Sequence, residues 1–587
     1  MEPLKTDIAI VGAGGAGLRA AIEIAQAYPT LKVALLSKVY PMRSHTCAAE
    51  GGAAAVKRPD DSLEMHFDDT VSGGDWLSDQ DVVEYFVQQA PLELVQLEHW
   101  GCPWSRDADG SVAVRPFGGM KKERTWYAAD KSGFHILHTL FQTSLQFPSI
   151  QRFDEYFCLD LTHEDGRCTG LVAMEMRSGR FFQVQARSVI LATGGAGRIF
   201  PFTTNGAVKT GDGMAMAYRA GVALKDMEFV QYHPTGLPGT GILLTEGCRG
   251  EGGVLVNRQG YRYLQDYGMG PETPPGHPVF KTMELGPRDR LSQAFWHEQK
   301  KGNTVATEWG DCVLLDMRHL GERRINERLP LVRELATSYV GVDPVKEPVP
   351  IRPVVHYMMG GIDTNIDGET SLRGLYAIGE TACGSLNGAN RLGSNSLTEL
   401  LVFGKRAAQR AANYATQLRS RQDDQPAAQQ AEDVVAAVRA LLQRRGGDQS
   451  LSGLRREMMT RLEDGAGIYR DATGLEATCS GIRQLQERYA QVEVNDKSNV
   501  FNTDLQQALE LKNMLDVAET VSASALARRE SRGAHQRLDY PERNDDDFLR
   551  HSLALRRPGQ APEVRWLDVT ITRSQPGVRN YSGDKPA

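Results

Sequence analysis

A strand, a glycine-rich turn and a helix follow one another near the start of the chain and constrain its fold more than any other segment. The four residues 8–11 are all apolar, which indicates a buried strand. Gly12, Gly14 and Gly17 then form a GxGxxG turn. Residues 18–27 have helical composition. Such glycines permit a tight bend, approach of a pyrophosphate and close helix packing, so we predict a dinucleotide site at the helix N-terminus.

A second strand, KVALLSK, ends near Ser37 and Lys38. An NAD site normally has Asp or Glu about 20 residues after the turn to bind the ribose hydroxyls. Their absence weakens a simple NAD site and leaves FAD open, with Ser37 as a ribose or phosphate contact. Two further strands that end in glycine, within 188–200 and 374–384, favour FAD, because separate strand ends can converge on one elongated ligand. Their spacing indicates a nucleotide domain that is interrupted by an insertion.

Composition excludes several classes of protein. A chain of 587 residues is expected to form roughly two to four domains. Its net charge of −7 argues against a nucleic-acid or anionic-membrane binder. Its eight cysteines include no CxxC pair, which favours a reduced, cytosolic chain over a zinc or iron–sulfur framework. No apolar run approaches the ~20 residues that span a bilayer, and no signal peptide precedes the first strand. At a membrane, another polypeptide would have to hold the chain.

His45 lies among small residues in YPMRSHTCAAEGGAAAV (40–56), where a ligand can press against the backbone. This segment is one of several ordered motifs between residue 7 and about residue 550. The others are ATGGAGR, QYHPTG, TEGCRGEGG, ELGPRD, HYMMGGI and GANRLGSNSL. Together they resemble the flavoprotein subunits of fumarate reductase and succinate dehydrogenase. KVYPMRSHT and GYRYLQDYGMGPETP favour the bacterial quinol:fumarate reductase branch.

The resemblance implies that FAD is bound covalently, through a bond between the ring of His45 and the flavin 8α-methyl group. The small neighbours let the dimethylbenzene edge of the flavin approach, and the family's pattern implies a raised flavin potential. Alone, His45 would be interpreted as a loop histidine bonded to the backbone. The other cofactor contacts that we predict are Gly12, Ala13, Gly14, Gly15, Ala16, Ser37, Lys38, Ser44, Thr46, Gly51, Gly52, Tyr156, Phe157, Cys158, Thr193, Gly194, Asp212, His356, Tyr357, Glu380, Arg391, Ser396 and Leu397.

The middle of the chain supplies groups that suit a dicarboxylate. Hydride addition to an alkene between two carboxylates builds negative charge, so a site for it needs cationic donors and a proton source. Arg391 can bind a carboxylate through two parallel hydrogen bonds. His233 and His356 can donate hydrogen bonds, and Thr245 offers a hydroxyl group.

The family resemblance assigns roles to these motifs. Arg288 in ELGPRD matches the arginine that delivers a proton to the substrate, and Glu246 and Arg249 match a relay to solvent. Arg391, His356, Thr245 and His233 match substrate binders. His233 also belongs to the catalytic set. A role of Arg288 as general acid conflicts with the very high pKa of a guanidinium group. The role is acceptable if Glu246 exchanges the proton with Arg288 inside a desolvated site. Alone, each histidine would be interpreted as structural and Arg288 as a surface ion pair.

Two positions within the motifs leave alternatives open. Cys248 is either a reactive thiol beside the site or a small buried residue, and we expect proximity without an essential role. Asn387 stands where many relatives have histidine before GANRLG, so a flavin contact through this side chain is in doubt. Glu380 is either a flavin ribose ligand or a helix-capping partner. No metal site is predicted.

We predict an α/β fold: a Rossmann-like FAD-binding domain interrupted by an α/β capping domain, then a helical domain and a small C-terminal region. The expected bounds are 1–232 and 353–414 for the FAD-binding domain, 233–352 for the capping domain, 415–545 for the helical domain and 546–587 for the C-terminal region. Apolar residues at helical spacing within 434–442 and 511–518 are expected in a core rather than in partner grooves. Closure of the cap would expel water and assemble the site.

The resemblance also implies a complex. Electrons would be exchanged between FAD, an iron–sulfur subunit and quinone in membrane anchor subunits, with fumarate and succinate as substrates. The chain would be peripheral on the cytoplasmic face of the inner membrane, with no transmembrane segment and no nucleic-acid partner. ARRESRGAHQR (527–537) is a candidate basic patch for a subunit interface, and a solvated helix end explains it equally well.

Three other functions remain open from the sequence. Succinate dehydrogenase runs the same site in reverse, and its direction depends on the quinone and partners, which this chain does not encode. Soluble oxidases of amino dicarboxylates share the scaffold but generally bind FAD non-covalently. A non-catalytic flavin scaffold or assembly subunit is opposed by the presence of Arg288, His233 and Arg391.

Overall fold

The computed structural model describes residues 1–418 and 425–579. A parallel five-stranded sheet forms the central layer of the FAD-binding domain. In spatial order its strands are Leu375–Ala377, Ser188–Leu191, Ile8–Val11, Val33–Ser37 and Ile150–Asp154. One face is covered by the helices Gly15–Ala27, Ser132–Ser144 and Asn395–Gln417. This arrangement confirms the predicted Rossmann-like α/β fold.

The strand Ile8–Val11 is buried on both faces. Ile8 and Ile10 pack with the helix Gly15–Ala27. Ala9 and Val11 pack on the opposite side, in a core that includes residues of the helix Asp212–Arg219. Because helices cover both faces, the strand has no solvent side, which explains its continuous apolar sequence.

Smaller sheets and two further helices complete the first part of the FAD-binding domain. A four-stranded sheet contains Glu2–Lys5, Phe181–Gln185, Arg167–Glu175 and Tyr156–Glu164. A three-stranded sheet contains Ala53–Ala54, Thr125–Trp126 and Val114–Arg115. The helices are Leu63–Gly73 and Gln80–His99. Two 3₁₀ helices, Pro41–Arg43 and His45–Ala48, lead past His45.

The insertion has its own antiparallel sheet and its own core. The strands are Val230–Gly236, Val349–Met358, Gly310–Asp316 and Val254–Val256, with Val305–Thr307 paired to the third. The helices are Gly247–Gly250, Arg288–Lys300, Gly321–Arg328 and Pro330–Val340. The expected limits, 233 and 352, fall inside the strands Val230–Gly236 and Val349–Met358, which pair with each other. We keep 233–352 as a proposed division, with the capping domain entered and left through this pair.

The chain beyond the FAD-binding domain is helical, as predicted. The helices are Gln425–Gln443, Leu451–Ala466, Ala472–Tyr489 and Thr503–Ala527. Val435 and Val438 are buried in one core, and Leu511 and Met514 are buried in another. These apolar residues therefore form core contacts, as their helical spacing predicted.

The last described strands join a sheet of the FAD-binding domain. In spatial order this sheet contains Ala382–Cys383, Gly361–Asp363, Leu224–Lys225, Arg550–Leu555 and Glu563–Asp568. A two-stranded sheet, Tyr469–Arg470 and Gln536–Arg537, and a short helix, Asp545–Phe548, precede them. In the part of the chain described here, no helix combines the length and apolarity needed to cross a membrane.

Candidate active site

A cavity of about 430 Å³ lies where the central sheet meets the GxGxxG turn. Gly12 has a φ of +107°, and a Cβ at this position would lie 2.2 Å from the carbonyl oxygen of Ala192. A Cβ on Gly17 would lie 1.8 Å from the carbonyl oxygen of Gly12. Only glycine fits at either position, and the bare backbone leaves a cradle at the helix N-terminus. The residues therefore fit the pyrophosphate of FAD.

Most of the predicted cofactor contacts line this cavity. They are Gly12, Ala13, Gly14, Gly15, Ala16, Ser37, Lys38, Ser44, His45, Thr46, Tyr156, Phe157, Cys158, Thr193, Gly194, Asp212, His356, Tyr357, Glu380, Ser396 and Leu397. Gly51, Gly52 and Arg391 do not line it. A Cβ on Gly52 would lie 2.2 Å from the carbonyl oxygen of Trp126, so only glycine allows this close packing of the small sheet.

Glu50 and Lys209 line the cavity but were missed from the sequence. Glu50 is buried, and its Oε2 has no protein partner among the described residues. Burial is the main cause that raises the pKa of Glu50 well above its ordinary value, and the negative charge of Asp130 adds to it. Lys209 forms a short ion pair with Glu380. Only the small-residue run around His45 pointed toward Glu50, and no local pattern pointed toward Lys209.

Lys38 lies at the end of the second strand, where an NAD site would have an acidic residue. Its Nζ lies 2.7 Å from Asp212 and 2.9 Å from Glu510. Burial alone would lower the pKa of Lys38, but these two carboxylates outweigh burial and raise it. Lys38 therefore ties the helix Thr503–Ala527 to the cofactor cavity, which the sequence did not predict.

His45 begins a 3₁₀ helix on the cavity wall. The backbone N–H of Gly206 donates a hydrogen bond to its Nδ1 at 3.3 Å. Burial, followed by the charge of Lys209, holds the pKa of His45 well below its ordinary value. The imidazole is therefore neutral near pH 7, and its Nε2 is the nitrogen that remains for another bond.

The four predicted substrate binders are all held in place by protein contacts. The rings of His233 and His356 lie 5.1 Å apart. His356 Nδ1 lies 2.8 Å from Thr204 Oγ1. Arg391 lies over the ring of Tyr357 at 4.4 Å. Thr245 is buried two residues before the short helix Gly247–Gly250.

Two of these binders retain bonding capacity. His233 Nε2 and Arg391 Nε are buried without a protein partner among the described residues. Burial and the charge of Arg288 hold the pKa of His233 well below its ordinary value. Burial and Arg288 also lower the pKa of Arg391 to about 10, so this guanidinium stays charged at neutral pH. A neutral imidazole and a buried cation with unused donors suit a carboxylate ligand.

Arg288, Glu246 and Arg249 form a buried charge cluster. Arg288 Nε donates to Glu246 Oε2 at 2.7 Å. Arg249 Nη2 lies 3.5 Å from Glu246 Oε1. Burial acts to raise the pKa of Glu246, but the two guanidinium groups outweigh burial and lower it. The carboxylate is therefore ionised beside Arg288.

Gln231, which the sequence analysis did not single out, joins the two arginines. Its Oε1 accepts a hydrogen bond from Arg288 Nη1 at 3.1 Å. Its Nε2 donates to the carbonyl oxygen of Arg391 at 2.7 Å. Gln231 precedes His233 by two residues in one strand, so the alternation of a strand was the signal that could have found it.

The surroundings of Cys248 do not favour a reactive thiol, and those of Asn387 do not favour a flavin contact. Cys248 is buried, and burial raises the pKa of its thiol, which disfavours a reactive thiolate. Asn387 Nδ2 donates to Glu399 Oε2 at 2.9 Å, and Asn387 does not line the cofactor cavity. In the described part of the chain, no group of three or more His, Cys, Asp or Glu residues is placed to hold a metal ion.

Residues 527–537 do not form an exposed basic patch or a solvated helix end. Arg528, Arg532 and Arg537 are buried. Arg528 and Arg532 both form ion pairs with the buried carboxylate of Glu530. Both interpretations of this segment were wrong, because its charges are neutralised by contacts that are not visible in a linear pattern.

The chain matches two family models along most of its length. The model described as FAD binding domain covers residues 7–397. The model described as Fumarate reductase flavoprotein C-term covers residues 455–581.

The chain belongs to the fumarate reductase flavoprotein family.

Known members of this family align over nearly the whole chain. The fumarate reductase flavoprotein subunit of Haemophilus influenzae is 59% identical over 100% of this chain and 98% of its own. The FrdA chain of an Escherichia coli quinol fumarate reductase variant has 58% identity and a TM-score of 0.97, with 99% of each chain covered. A quinol-fumarate reductase structure with menaquinol molecules has 58% identity and a TM-score of 0.96, with 98% of this chain and 100% of that chain covered.

Succinate dehydrogenase relatives in the same family match at lower identity. The flavoprotein subunit from Rickettsia bellii is 43% identical over 97% of this chain and 96% of its own. The predicted resemblance is therefore confirmed, including its bacterial quinol:fumarate reductase branch.

Proposed function

We propose that this protein is the flavoprotein catalytic subunit of a membrane-bound quinol:fumarate reductase, which interconverts fumarate and succinate at covalently bound FAD. One observation carries the proposal: the Arg288–Glu246 pair is buried in the same site as Arg391 and His233, whose unused donors are aimed at no protein acceptor. This combination supplies both a dicarboxylate clamp and a proton source.

The cofactor cavity supports FAD, and His45 supports a covalent bond to it. Nδ1 of His45 is occupied by the Gly206 N–H, so Nε2 is the nitrogen that would join the 8α-methyl group. When bound, FAD supplies a hydride, which is two electrons and one proton, for one alkene carbon of fumarate. The glycine cradle orients the cofactor, and the capping domain excludes water from the site.

The chain's own residues perform the remaining steps. Arg391 and the neutral rings of His233 and His356 bind the two carboxylates of the substrate, with the hydroxyl of Thr245 as a further donor. Reduction of fumarate to succinate requires a second proton, at the other alkene carbon. Arg288 donates this proton, and charge that builds on the substrate is stabilised by the neighbouring cations.

A proton must then return to Arg288. Glu246, held 2.7 Å from Arg288 Nε, first takes up a proton that reaches it from solvent by way of Arg249 and then passes that proton to Arg288. Succinate oxidation uses the same groups in reverse.

The wider assembly is inferred from the relatives. Relatives that are 59% identical are named fumarate reductase flavoprotein subunits, and one solved relative is a quinol-fumarate reductase with menaquinol molecules. We infer an iron–sulfur subunit as electron partner and quinone-binding membrane anchors, with this chain peripheral on the cytoplasmic face of the inner membrane. Operation mainly as a succinate dehydrogenase is the second candidate, and the lower identity to those subunits disfavours it.

Three measurements test this function. A denaturing gel of the purified protein should show flavin fluorescence on the polypeptide. The holoenzyme should catalyse fumarate reduction and succinate oxidation with low- and high-potential quinones, respectively. Arg288→Lys should retain FAD and dicarboxylate binding but lose most turnover, whereas Arg323→Lys, at an exposed position, should change neither. Near-normal turnover of Arg288→Lys would show that the proton donor lies elsewhere.

A further inference from the structure

Residues 570–579, here called the strap, run along the FAD-binding domain toward the capping domain. Buried Gln80 anchors the strap, because its Oε1 accepts from the backbone N–H groups of Thr572, Arg573 and Ser574 at 3.1, 3.0 and 2.9 Å. Its Nε2 donates to the carbonyl oxygen of Ser574 at 2.6 Å. One side chain therefore fixes three successive residues of the strap.

Arg579 connects the strap to the capping domain. Its Nη1 and Nη2 donate to the two carboxylate oxygens of Asp289 at 2.7 and 3.3 Å. Nη2 also donates to the carbonyl oxygen of Gly73, in the FAD-binding domain, at 3.1 Å. The side chains of Arg579 and Asp289 are only 6% and 1% exposed. This two-pronged, buried geometry makes a strong and directional contact.

Asp289 follows Arg288 directly in the first turn of the helix Arg288–Lys300. The two side chains point to different partners: Arg288 to Glu246 and Asp289 to Arg579. Because the backbone of a helical turn moves as a unit, a contact that fixes Asp289 also fixes the direction of the neighbouring guanidinium.

The strap also lines a second cavity, of about 310 Å³, that borders the candidate active site. Val578 and Arg579 contribute one part of its lining, and Arg288 and Arg391 contribute another. The same segment that binds Asp289 therefore shares a cavity wall with Arg288, which does not line the cofactor cavity.

We propose that Arg579 is a positioning residue for proton delivery. By pinning Asp289 to the FAD-binding domain, it holds the start of the helix so that Arg288 lies against Glu246. The dicarboxylate is bound by other residues, so the strap acts on the proton-transfer step and not on substrate affinity. This inference rests on the proposed function.

The test uses the holoenzyme and two variants that break the same ion pair from opposite sides. Arg579→Gln and Asp289→Asn each keep the side-chain size near that of the original. Each should lower kcat for fumarate reduction by about tenfold to a hundredfold, the range expected when a reacting group is misplaced. KM should change little, and the solvent deuterium isotope effect on kcat should rise, because proton transfer becomes slower.

Three comparisons make the test specific. The double variant should be no slower than the slower single variant, because each change already removes the Arg579–Asp289 ion pair. Arg579→Lys, which keeps the charge but not the fork, should recover part of kcat. Arg565→Gln, an exposed arginine that pairs with Glu563, should behave like the unaltered enzyme. Covalent flavin content is measured in each preparation. If one of the two variants, Arg579→Gln or Asp289→Asn, loses its flavin, the other variant carries the test.

The outcomes separate the two proposals. If the unaltered enzyme reduces fumarate but Arg579→Gln and Asp289→Asn keep their kcat, the strap proposal is wrong and the proposed function stands. A lower kcat without a change in isotope effect would show a general structural role and would also contradict the strap proposal. If the unaltered, flavin-loaded enzyme does not turn over fumarate, the proposed function fails and the strap proposal fails with it.

Discussion

Gln231 accepts a hydrogen bond from Arg288, with 3.1 Å between Oε1 and Nη1. The same side-chain amide donates to the backbone carbonyl of Arg391 at 2.7 Å. An arginine of the capping domain is therefore oriented through one buried amide that also holds the backbone of the FAD-binding domain.

Replacement of Gln231 should affect catalysis more than substrate affinity. Gln231→Leu keeps the approximate size but leaves Arg288 Nη1 and the carbonyl of Arg391 without their partner, which costs about 1–3 kcal/mol of stability. We expect kcat to fall by about tenfold or more because Arg288 is no longer oriented. Steady-state kinetics and thermal unfolding test this, with the exposed Gln259→Leu as control. An unchanged kcat would show that Gln231 is not needed to orient Arg288.

Gly12 should tolerate no side chain. In Gly12→Ala the new Cβ would lie 2.2 Å from the Ala192 carbonyl oxygen, inside van der Waals contact, so the turn must move and the cofactor cradle is lost. Gly101→Ala is the matched control, because Gly101 also has a positive φ, of +98°, but nothing lies within 4 Å of its Cβ position. We expect Gly12→Ala to purify without flavin and Gly101→Ala to keep it at a cost of about 1 kcal/mol. The absorbance of bound flavin measures the flavin content of each variant. Equal flavin content in both would contradict the predicted clash between the new Cβ and Ala192.

His45 should be required for attachment of FAD but not for its binding. His45→Ser removes the only ring proposed to bond the flavin and leaves the glycine cradle intact. We expect native His45→Ser to be yellow but to release its flavin on acid precipitation, and to have a lower flavin potential. His277→Ser, at an exposed histidine, should keep fluorescence on a denaturing gel. Fluorescent polypeptide from His45→Ser would place the covalent bond on another residue.

His551 should make stability depend on pH in the alkaline range. Its Nδ1 lies 2.6 Å from Asp226 Oδ2 and its Nε2 lies 3.3 Å from Asp79 Oδ1. Burial alone would lower the pKa of His551, but the two carboxylates raise it from 6.5 to about 9. Because the folded pKa exceeds the unfolded value, the stabilisation is complete below pH 6.5 and is lost as the pH rises through 9.

The shift corresponds to about 3 kcal/mol of unfolding free energy. Denaturant unfolding near pH 6 and near pH 10 should therefore show a larger alkaline loss for the unaltered protein than for His551→Gln. The affected element is the strand Arg550–Leu555, which joins the last described strands to the FAD-binding domain. An identical pH dependence in both proteins would mean that the ring is neutral in the folded state.

Local sequence predicted the features that depend on local backbone geometry. Gly12 could be recognised because a positive φ and a close backbone contact exclude every other residue there. The apolar run 8–11 predicted a strand with two buried faces, since a polar residue on either face would have lost its water. The apolar stripes of the helical region predicted their own burial for the same reason.

Long-range contacts were beyond such reasoning. Lys38 was expected only as a cofactor contact, yet its charge is bound by Glu510, 472 residues away. The arginines of 527–537 were expected on the surface, yet Arg528 is buried against Glu228, 300 residues away. A run of like charges in sequence does not show where its counter-charges are, because ion pairs depend on distance in space.

The sequence by itself determined the nucleotide cradle, the order of strands and helices around it, and the chemical types that the candidate active site contains. These follow from φ angles, from the spacing of apolar residues and from which side chains can carry charge or a proton. Only the tertiary structure decided which groups meet. Folding brings Arg288 to Glu246 and Asp289 to Arg579, 290 residues apart, and it leaves His233 and Arg391 with unused donors. Burial and the Coulomb interaction act through space, so neither can be assigned until the chain has folded.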